Sequence, residues 1–232
     1  MKKGYRDTNK KLLACACLKT LKRDMTYREL SKKIKLPPGV INRYVNGYVL
    51  PNTKRAHEII NNFVKNFLTE TIINKSKVKG SNYYVTTDIL SQPFLLNVIA
   101  NWIIQRLDNR VTLVLTAASD GIPLAITLAH ILNVEACWAK KTQEISPHGH
   151  FISNNLTQKA VFTPLCLPKH KLTKHDHVLI VDDVIRGGTT ILSLIDLCGQ
   201  AGASVEGVFS IFIGKRAEKT LIQYNPRGIV QI

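Results

Sequence analysis

Hydrophobic positions along this chain follow two different rhythms. Asn9 to Lys22 reads as a helix, with Leu12, Leu13, Ala16 and Cys17 forming an apolar stripe at helical spacing. Thr26 and Glu29 have the spacing of a capping box and open a short helix that contains Leu30 and ends near Lys33. Ile34 to Pro37 is a turn. A second short helix runs from about Pro38 to Asn46, with proline in its first turn and Gly47 just past its end. On it Ile41 and Val45 are expected to face inward, at i and i+4, and Asn42, Arg43 and Asn46 outward. Tyr48 to Thr53 is a loop, with Thr53 capping a further helix through Ala56, Ile59, Ile60 and Phe63.

Farther along, the rhythm changes to short continuous apolar runs, the mark of strands buried on both faces. Val111 to Thr116, Ala136 to Ala139, Val178 to Val181 and Val205 to Ile213 read this way. The third run is followed at once by Asp182 and Asp183. Arg186, Gly187, Gly188, Thr189 and Thr190 come next, then a helical stretch from Ile191 to Leu197. Strand, acidic pair, glycine turn and helix together describe a phosphate-binding βα unit. The glycines let backbone N–H groups approach an anion, and the helix N-terminus adds positive potential. Carboxylates beside such a cradle would repel the phosphate unless they face sugar hydroxyls or a metal-bound ligand. The expected ligand therefore carries a phosphate and a polyol, as ribose 5-phosphate does.

The stretch from Val178 to Thr190 resembles the 5-phosphoribosyl-1-pyrophosphate (PRPP) motif of type I, orotate phosphoribosyltransferase-like proteins. The resemblance implies that Asp182 and Asp183 hydrogen-bond the ribose 2- and 3-hydroxyls. It implies too that Arg186, Gly187, Gly188, Thr189 and Thr190 wrap the 5-phosphate. It extends backward: Ala118, Ser119, Asp120 and Gly121, followed by Ile122 to Ala125, resemble the pyrophosphate loop of that family where it opens a helix. Lys140 and Lys141 resemble the basic pair ahead of its mobile loop, and Thr142 to Thr163, with His148, Gly149 and His150, would be that flap and its return. Coverage is about residues 85 to 215. The implied fold is α/β, a doubly wound domain with a mainly parallel sheet, and the implied cofactor is Mg²⁺ carried in with PRPP. One position departs from the pattern. Many catalytic members have a basic residue just before the loop glycine, whereas this chain has Asp120. An acid there opposes a multiply charged leaving group, unless it points into solvent or positions a metal-bound water.

Charge sets the two rhythmic regions apart. The chain has 32 basic and 16 acidic side chains, a net +16. Residues 1 to 80 hold 19 of the basic and only 5 of the acidic groups, and the rest of the chain holds 13 and 11. A basic helical segment ahead of a near-neutral α/β domain implies a polyanion-binding module joined to a ligand-binding one. Two short helices around a tight turn make a helix-turn-helix. Val40 to Thr53, with its Asn-Gly separated by three residues from Pro51, resembles the recognition helix and loop of the Cro and lambda-repressor-like family. Asn42, Arg43 and Asn46 are of side-chain types that read base edges in a major groove. Lys32, Lys33, Lys35, Lys54 and Arg55 suit phosphate contacts.

The expected organisation is an all-α helix-turn-helix domain over residues 1–70, a linker over 71–84 with its core near Asn74 to Ser81, and a phosphoribosyltransferase-like domain over 85–232. This layout is similar to archaeal helix-turn-helix regulators fused to an orotate phosphoribosyltransferase-like domain, and to bacterial purine repressors that bind PRPP without turning it over. It implies a transcription regulator that binds double-stranded DNA as a homodimer and senses PRPP or a nucleotide. The alternative is an active phosphoribosyltransferase of nucleotide metabolism with an appended helical domain, and bulk charge alone also admits RNA.

Cysteines 15, 17, 137, 166 and 198 lack metal-ligand pair spacing and read as small apolar residues of a reducing compartment. No protein-held metal is expected. His148, His150, His170, His175 and His177 fall on polar loops and read as solvated side chains, with contact of His148 or His150 to a ligand from the flap as the alternative. No apolar run is long enough to span a membrane, and Met1 to Arg6 is not followed by a signal-type apolar core, so the cytoplasm is the expected location.

Overall fold

The computed structural model describes residues 3–77, 84–108, 110–153 and 164–232, with the side chains of residues 3–6 outside that description. The chain begins with helices α1 (Lys3–Lys22), α2 (Tyr27–Ile34), α3 (Pro38–Val45), α4 (Thr53–Asn66), α5 (Leu68–Ser76), α6 (Thr87–Leu90) and α7 (Pro93–Ile104). It then alternates: β1 (Leu113–Ala117), α8 (Ile122–Leu132), β2 (Glu135–Ala139), β3 (His150–Ile152), β4 (Cys166–Pro168), β5 (His177–Ile185), α9 (Thr189–Ala201), β6 (Ser204–Ile213), α10 (Lys215–Thr220) and β7 (Arg227–Gln231). Two compact units result, Met1–Trp102 and Ile103–Ile232.

In the first unit, local chemistry sets the helix boundaries. Thr26 accepts a hydrogen bond from the Glu29 N–H at 3.3 Å, and the Glu29 carboxylate accepts one from the Thr26 N–H at 2.7 Å. This reciprocal box starts α2 as expected. Lys35 ends α2 in the left-handed region at φ 58°, and Pro37 leads directly into α3. After α3, Gly47 takes φ 75°, which lets the Tyr48 N–H reach back to the Arg43 carbonyl at 3.0 Å. Buried Leu13, Cys17, Leu18, Leu30, Ile41, Ile59 and Phe63 supply apolar contacts from four helices.

Several expectations change here. The first helix starts at Lys3, six residues before Asn9, and Leu12 is 52% exposed, so the buried stripe instead runs through Leu13, Ala14, Cys17 and Leu18. On α3 the inward partner of Ile41 is Tyr44, at i+3; Val45 is only half-buried. Asn52 caps α4, its side chain accepting from the Arg55 N–H at 2.8 Å, and Thr53 is the first helical residue. Asn74 to Ser76, assigned to the linker core, close α5; residues 78–81 lie outside the described part of the chain.

The second unit is built on a five-stranded, all-parallel sheet of order β2-β1-β5-β6-β7. Parallel neighbours on both sides explain the unbroken apolar run of β5, since both of its faces are covered. Val178, Ile180, Leu113 and Leu115 pack with Ile191, Leu194 and Leu197 of α9 and with Val208 of β6. β5 continues through the acidic pair to Ile185, four residues past the end expected for it, because its ladder to β6 extends as far as the Ile185–Ile213 pair. β3 and β4 form a separate antiparallel pair. β3 lies within the expected flap and β4 just past it, and residues 154–163 of that flap lie outside the described chain. The terminal strand β7 was not anticipated.

The strand order reverses direction between β1 and β5, so a crevice is expected at their carboxyl ends. The pairing registers show it opening. The β1–β5 ladder runs only from Leu113–Val178 to Leu115–Ile180, while β1–β2 continues to Ala117–Ala139. Beyond Leu115 and Ile180, β1 and β5 part company.

Candidate functional site

A cavity of about 340 Å³ occupies this opening. Its lining comes from the end of β1 and the following turn (Ala117, Ala118, Ser119, Asp120), from β5 (Asp182, Asp183) and from the first turns of α9 (Thr189, Thr190, Ser193); Lys141 and Leu165 complete it.

Close backbone approach makes the geometry possible. The turn out of β1 carries a cis peptide between Ala118 and Ser119. Gly121 then lies so near the Thr116 side chain that a Cβ would collide with it, and the same Cβ would stand 3.1 Å from Asp182 Oδ1. Glycine is required for this loop to reach the acidic strand. On the other wall, Arg186, Gly187 and Gly188 make a three-residue link to α9. Gly188 caps the helix at φ 87°, a conformation suited to glycine, and no side chain caps the helix. The first-turn N–H groups of α9 are therefore left for another acceptor. From behind, Gly214 abuts the Arg186 backbone carbonyl, again too closely for a Cβ, and its N–H donates to Ile185 at 2.8 Å.

The carboxylates are held by their own neighbours. Asp182 Oδ1 accepts from the Asp183 N–H at 2.9 Å, and Asp183 Oδ1 accepts from the Val184 N–H at 2.8 Å. Burial raises the Asp182 carboxyl well above the usual range, and the adjacent charges of Asp183 and then Asp120 push the same way. Ser119 donates its hydroxyl to Asp120 at 3.1 Å. Such a pocket favours a ligand that brings hydrogen-bond donors or positive charge toward the acids.

Of the positions chosen from sequence, Ser119, Asp120, Lys141, Asp182, Asp183, Thr189 and Thr190 are brought together on the cavity wall. Gly121, Arg186, Gly187 and Gly188 shape the backbone without lining it. Lys140 is drawn aside. Its ammonium pairs with Glu144, and its backbone bridges to Cys166. His148 stacks edge-on against His170, with ring centroids 6.0 Å apart, and His150 stands in β3; neither lines the cavity. Ser193 was missed, although a polar residue one turn beyond Thr189 in an apolar helix was a readable signal. Leu165 had none, because only the tertiary fold carries it to the site.

In the helical unit, Arg43 and Asn46 are exposed and Asn42 is half-buried. The Asn46 amide donates to the Asn42 carbonyl at 3.0 Å. Arg55 donates to the Tyr44 hydroxyl at 3.2 Å, which raises its already high pKa, and the Lys33 ammonium lies 5.4 Å over the Phe67 ring. Lys32, Lys35 and Lys54 are exposed. Cys17, Cys137, Cys166 and Cys198 are buried and Cys15 half-buried, and desolvation pushes the Cys137 and Cys198 thiols up to about 12, as apolar packing would. Among the described residues no cluster of three metal-ligating side chains occurs, and no helix is long and apolar enough to cross a membrane.

The switch-point crevice, the acidic strand end and the glycine-led helix meet at the carboxyl ends of a parallel α/β sheet. The phosphoribosyl transferase domain family matches residues 85–231, and the chain belongs to it. Its similarity extends to proteins of two kinds. Xanthine phosphoribosyltransferase of Bifidobacterium adolescentis is 31% identical over 149 residues, covering 61% of this chain and 77% of that enzyme. The purine biosynthesis transcriptional repressor PurR of Bacillus subtilis is 27% identical over 176 residues, covering 75% of this chain; this chain thus spans 60% of the repressor's length. Among solved structures, adenine phosphoribosyltransferase of Thermoanaerobacter pseudethanolicus has the same fold, with a TM-score of 0.63 at 19% identity over 71% of this chain and 99% of that one.

Proposed function

We propose that this protein is a DNA-binding transcription regulator whose phosphoribosyltransferase-type domain senses a phosphoribosyl ligand, PRPP or a nucleotide. The observation that carries the reading is the extent of the repressor match. A share of 75% of the chain is more than residues 85–232 can hold, so the alignment reaches back at least as far as α4, ahead of the family domain. The match to the xanthine enzyme, at 61%, needs no such extension.

In this reading α2 and α3, joined through Lys35 to Pro37, are the helix-turn-helix of a DNA-binding domain spanning about residues 1–70. α3 presents Arg43, Asn42 and Asn46 to base edges. Lys32, Lys35 and Lys54 contact phosphates, as do Lys33 and Arg55, which are held by Phe67 and Tyr44. Two chains pair so that two short recognition helices span adjacent half-sites. In the cavity, the α9 N-terminus with Thr189 and Thr190 takes the 5-phosphate, and Asp182 and Asp183 accept from the ribose hydroxyls. The carboxylate oxygens are hard donors that fit Mg²⁺. The small number of protein ligands there suits an ion that keeps its waters and arrives with the ligand's phosphates. That ion would offset charge between ligand and acids.

The xanthine phosphoribosyltransferase match favours a second reading, in which the domain transfers a phosphoribosyl group to a base. One experiment separates the two. The full chain is assayed for duplex binding against salt, and in parallel for pyrophosphate release from PRPP with each free base. Steeply salt-dependent duplex binding without turnover is expected. Turnover without duplex binding selects the enzyme.

A further inference from the structure

We propose that the cavity selects a ribosyl monophosphate, ribose 5-phosphate or a nucleoside 5′-monophosphate, over a ligand bearing a second phosphate group at the anomeric carbon. The inference rests on the phosphoribosyl reading of the cavity given above.

The argument is the distribution of charge around the wall. Among the described lining residues are three carboxylates, Asp120, Asp182 and Asp183, and one cation, Lys141. The other basic residues nearby in sequence do not balance them. Lys140 is engaged with Glu144, and Arg186 is exposed and off the wall. Among the described residues, one end of the site is built for an anion. There α9, thirteen residues long, offers uncapped first-turn N–H groups beside the Thr189 and Thr190 hydroxyls. The opposite wall also ends in a helix start, that of α8, and its N-terminus is likewise uncapped by a side chain. Here, however, Asp120 stands two residues ahead of the first helical residue and lines the cavity, so an anion approaching that helix start meets a carboxylate. Asp120 and Asp182 line the same cavity.

A pyrophosphate group entering beside Asp120 adds several negative charges to a wall that is already negative. A monophosphate keeps its charge at α9. Its ribose hydroxyls donate to Asp182 and Asp183, and a hydroxyl or a neutral base occupies the Asp120 side.

The test is calorimetric titration of the full chain, with Mg²⁺ in excess, using ribose 5-phosphate, AMP, GMP and PRPP. The expected result is that at least one monophosphate binds about tenfold more tightly than PRPP. Tightest binding of ribose 5-phosphate, or of a nucleotide, identifies which source of the shared chemistry the site takes. Asp120→Lys, with Asp120→Asn as a milder variant and circular dichroism as the fold control, should close or reverse the gap by strengthening PRPP binding. PRPP binding as tightly as every monophosphate in the unmodified chain overturns the inference while leaving the phosphoribosyl reading intact. An unchanged ratio in both folded variants does the same. No binding of any of the four compounds overturns the reading itself.

Discussion

The basic helices and the acid-lined cavity handle charge in contrasting ways. In the first 80 residues, 19 basic groups face only 5 acidic ones, and they are spread over several helices. From residue 81 onward the counts nearly balance, at 13 and 11, yet three carboxylates converge on one cavity with a single lining ammonium among the described residues. A dispersed cationic surface suits a long partner whose charges repeat, where each contact adds a little and salt competes for all of them. A concave pocket with buried acids suits a small ligand whose hydroxyls meet fixed acceptors. The contrast teaches that net charge describes the first region well and the second poorly; there, the sheet's topology decides which charges meet.

The contrast can be broken most forcefully inside the cavity. Replacing both Asp182 and Asp183 by asparagine removes the charged acceptors proposed for the ribose hydroxyls. Loss of two charge-assisted hydrogen bonds should weaken phosphoribosyl ligand binding by on the order of a hundredfold, read by calorimetry, with the circular dichroism spectrum retained. Equal affinity in the double variant removes the ribose assignment. Gly121→Ala tests whether the turn must approach Thr116 and Asp182 as closely as it does. Overpacking of that kind should cost about 1–3 kcal/mol in denaturant unfolding; a neutral result would mean the loop can shift. On the basic side, Arg43→Ala should cost about 1–3 kcal/mol of discrimination between a preferred and a random duplex while leaving ligand binding unchanged. Thr26→Ala, which removes one arm of the capping box, should lower stability by about 1 kcal/mol.

The smallest effect concerns pH. Burial and neighbouring acids raise the Asp182 carboxyl in the folded chain, so folding favours its protonated form. Its contribution to stability is thus fully present below the ordinary aspartate range and is lost as pH rises through the raised folded value. Asp182→Asn removes that loss, and an amide oxygen can still accept from the Asp183 N–H. Thermal unfolding of the variant should occur a few degrees higher near neutral pH, with the difference vanishing below about pH 4. A variant less stable at neutral pH would contradict the assignment.

How much was legible differs between the two regions for physical reasons. The capping box at Thr26 and Glu29, and the positive φ of Gly47, are local, so spacing alone placed them. The mistakes were in side-chain direction. A helix of eight residues such as α3 has too few apolar positions to fix its inward face, and tertiary packing chose Tyr44 over Val45. The parallel strands were readable from their unbroken apolar runs, and the site loops from the glycines that permit close approach. The exit of β5 was not, because its length depends on a partner, β6, remote in sequence. Seven of the chosen ligand positions line the cavity, six of them in two short stretches, Ser119–Asp120 and Asp182–Thr190, with Lys141 apart. Leu165 arrives through long-range packing, and the diversion of Lys140 depends on Glu144 one helical turn's spacing away, in a segment that is not helical.

The central claim is that the cavity and the basic helices report to one another, and fluorescence anisotropy of a labelled duplex bound by the full chain tests it most directly. The titration is run without ligand and with saturating ribose 5-phosphate, nucleoside monophosphates or PRPP with Mg²⁺. The account predicts that the occupied cavity changes duplex affinity by about fivefold or more, in one direction, at constant salt. Superimposable isotherms for a chain that demonstrably binds the ligand would contradict it.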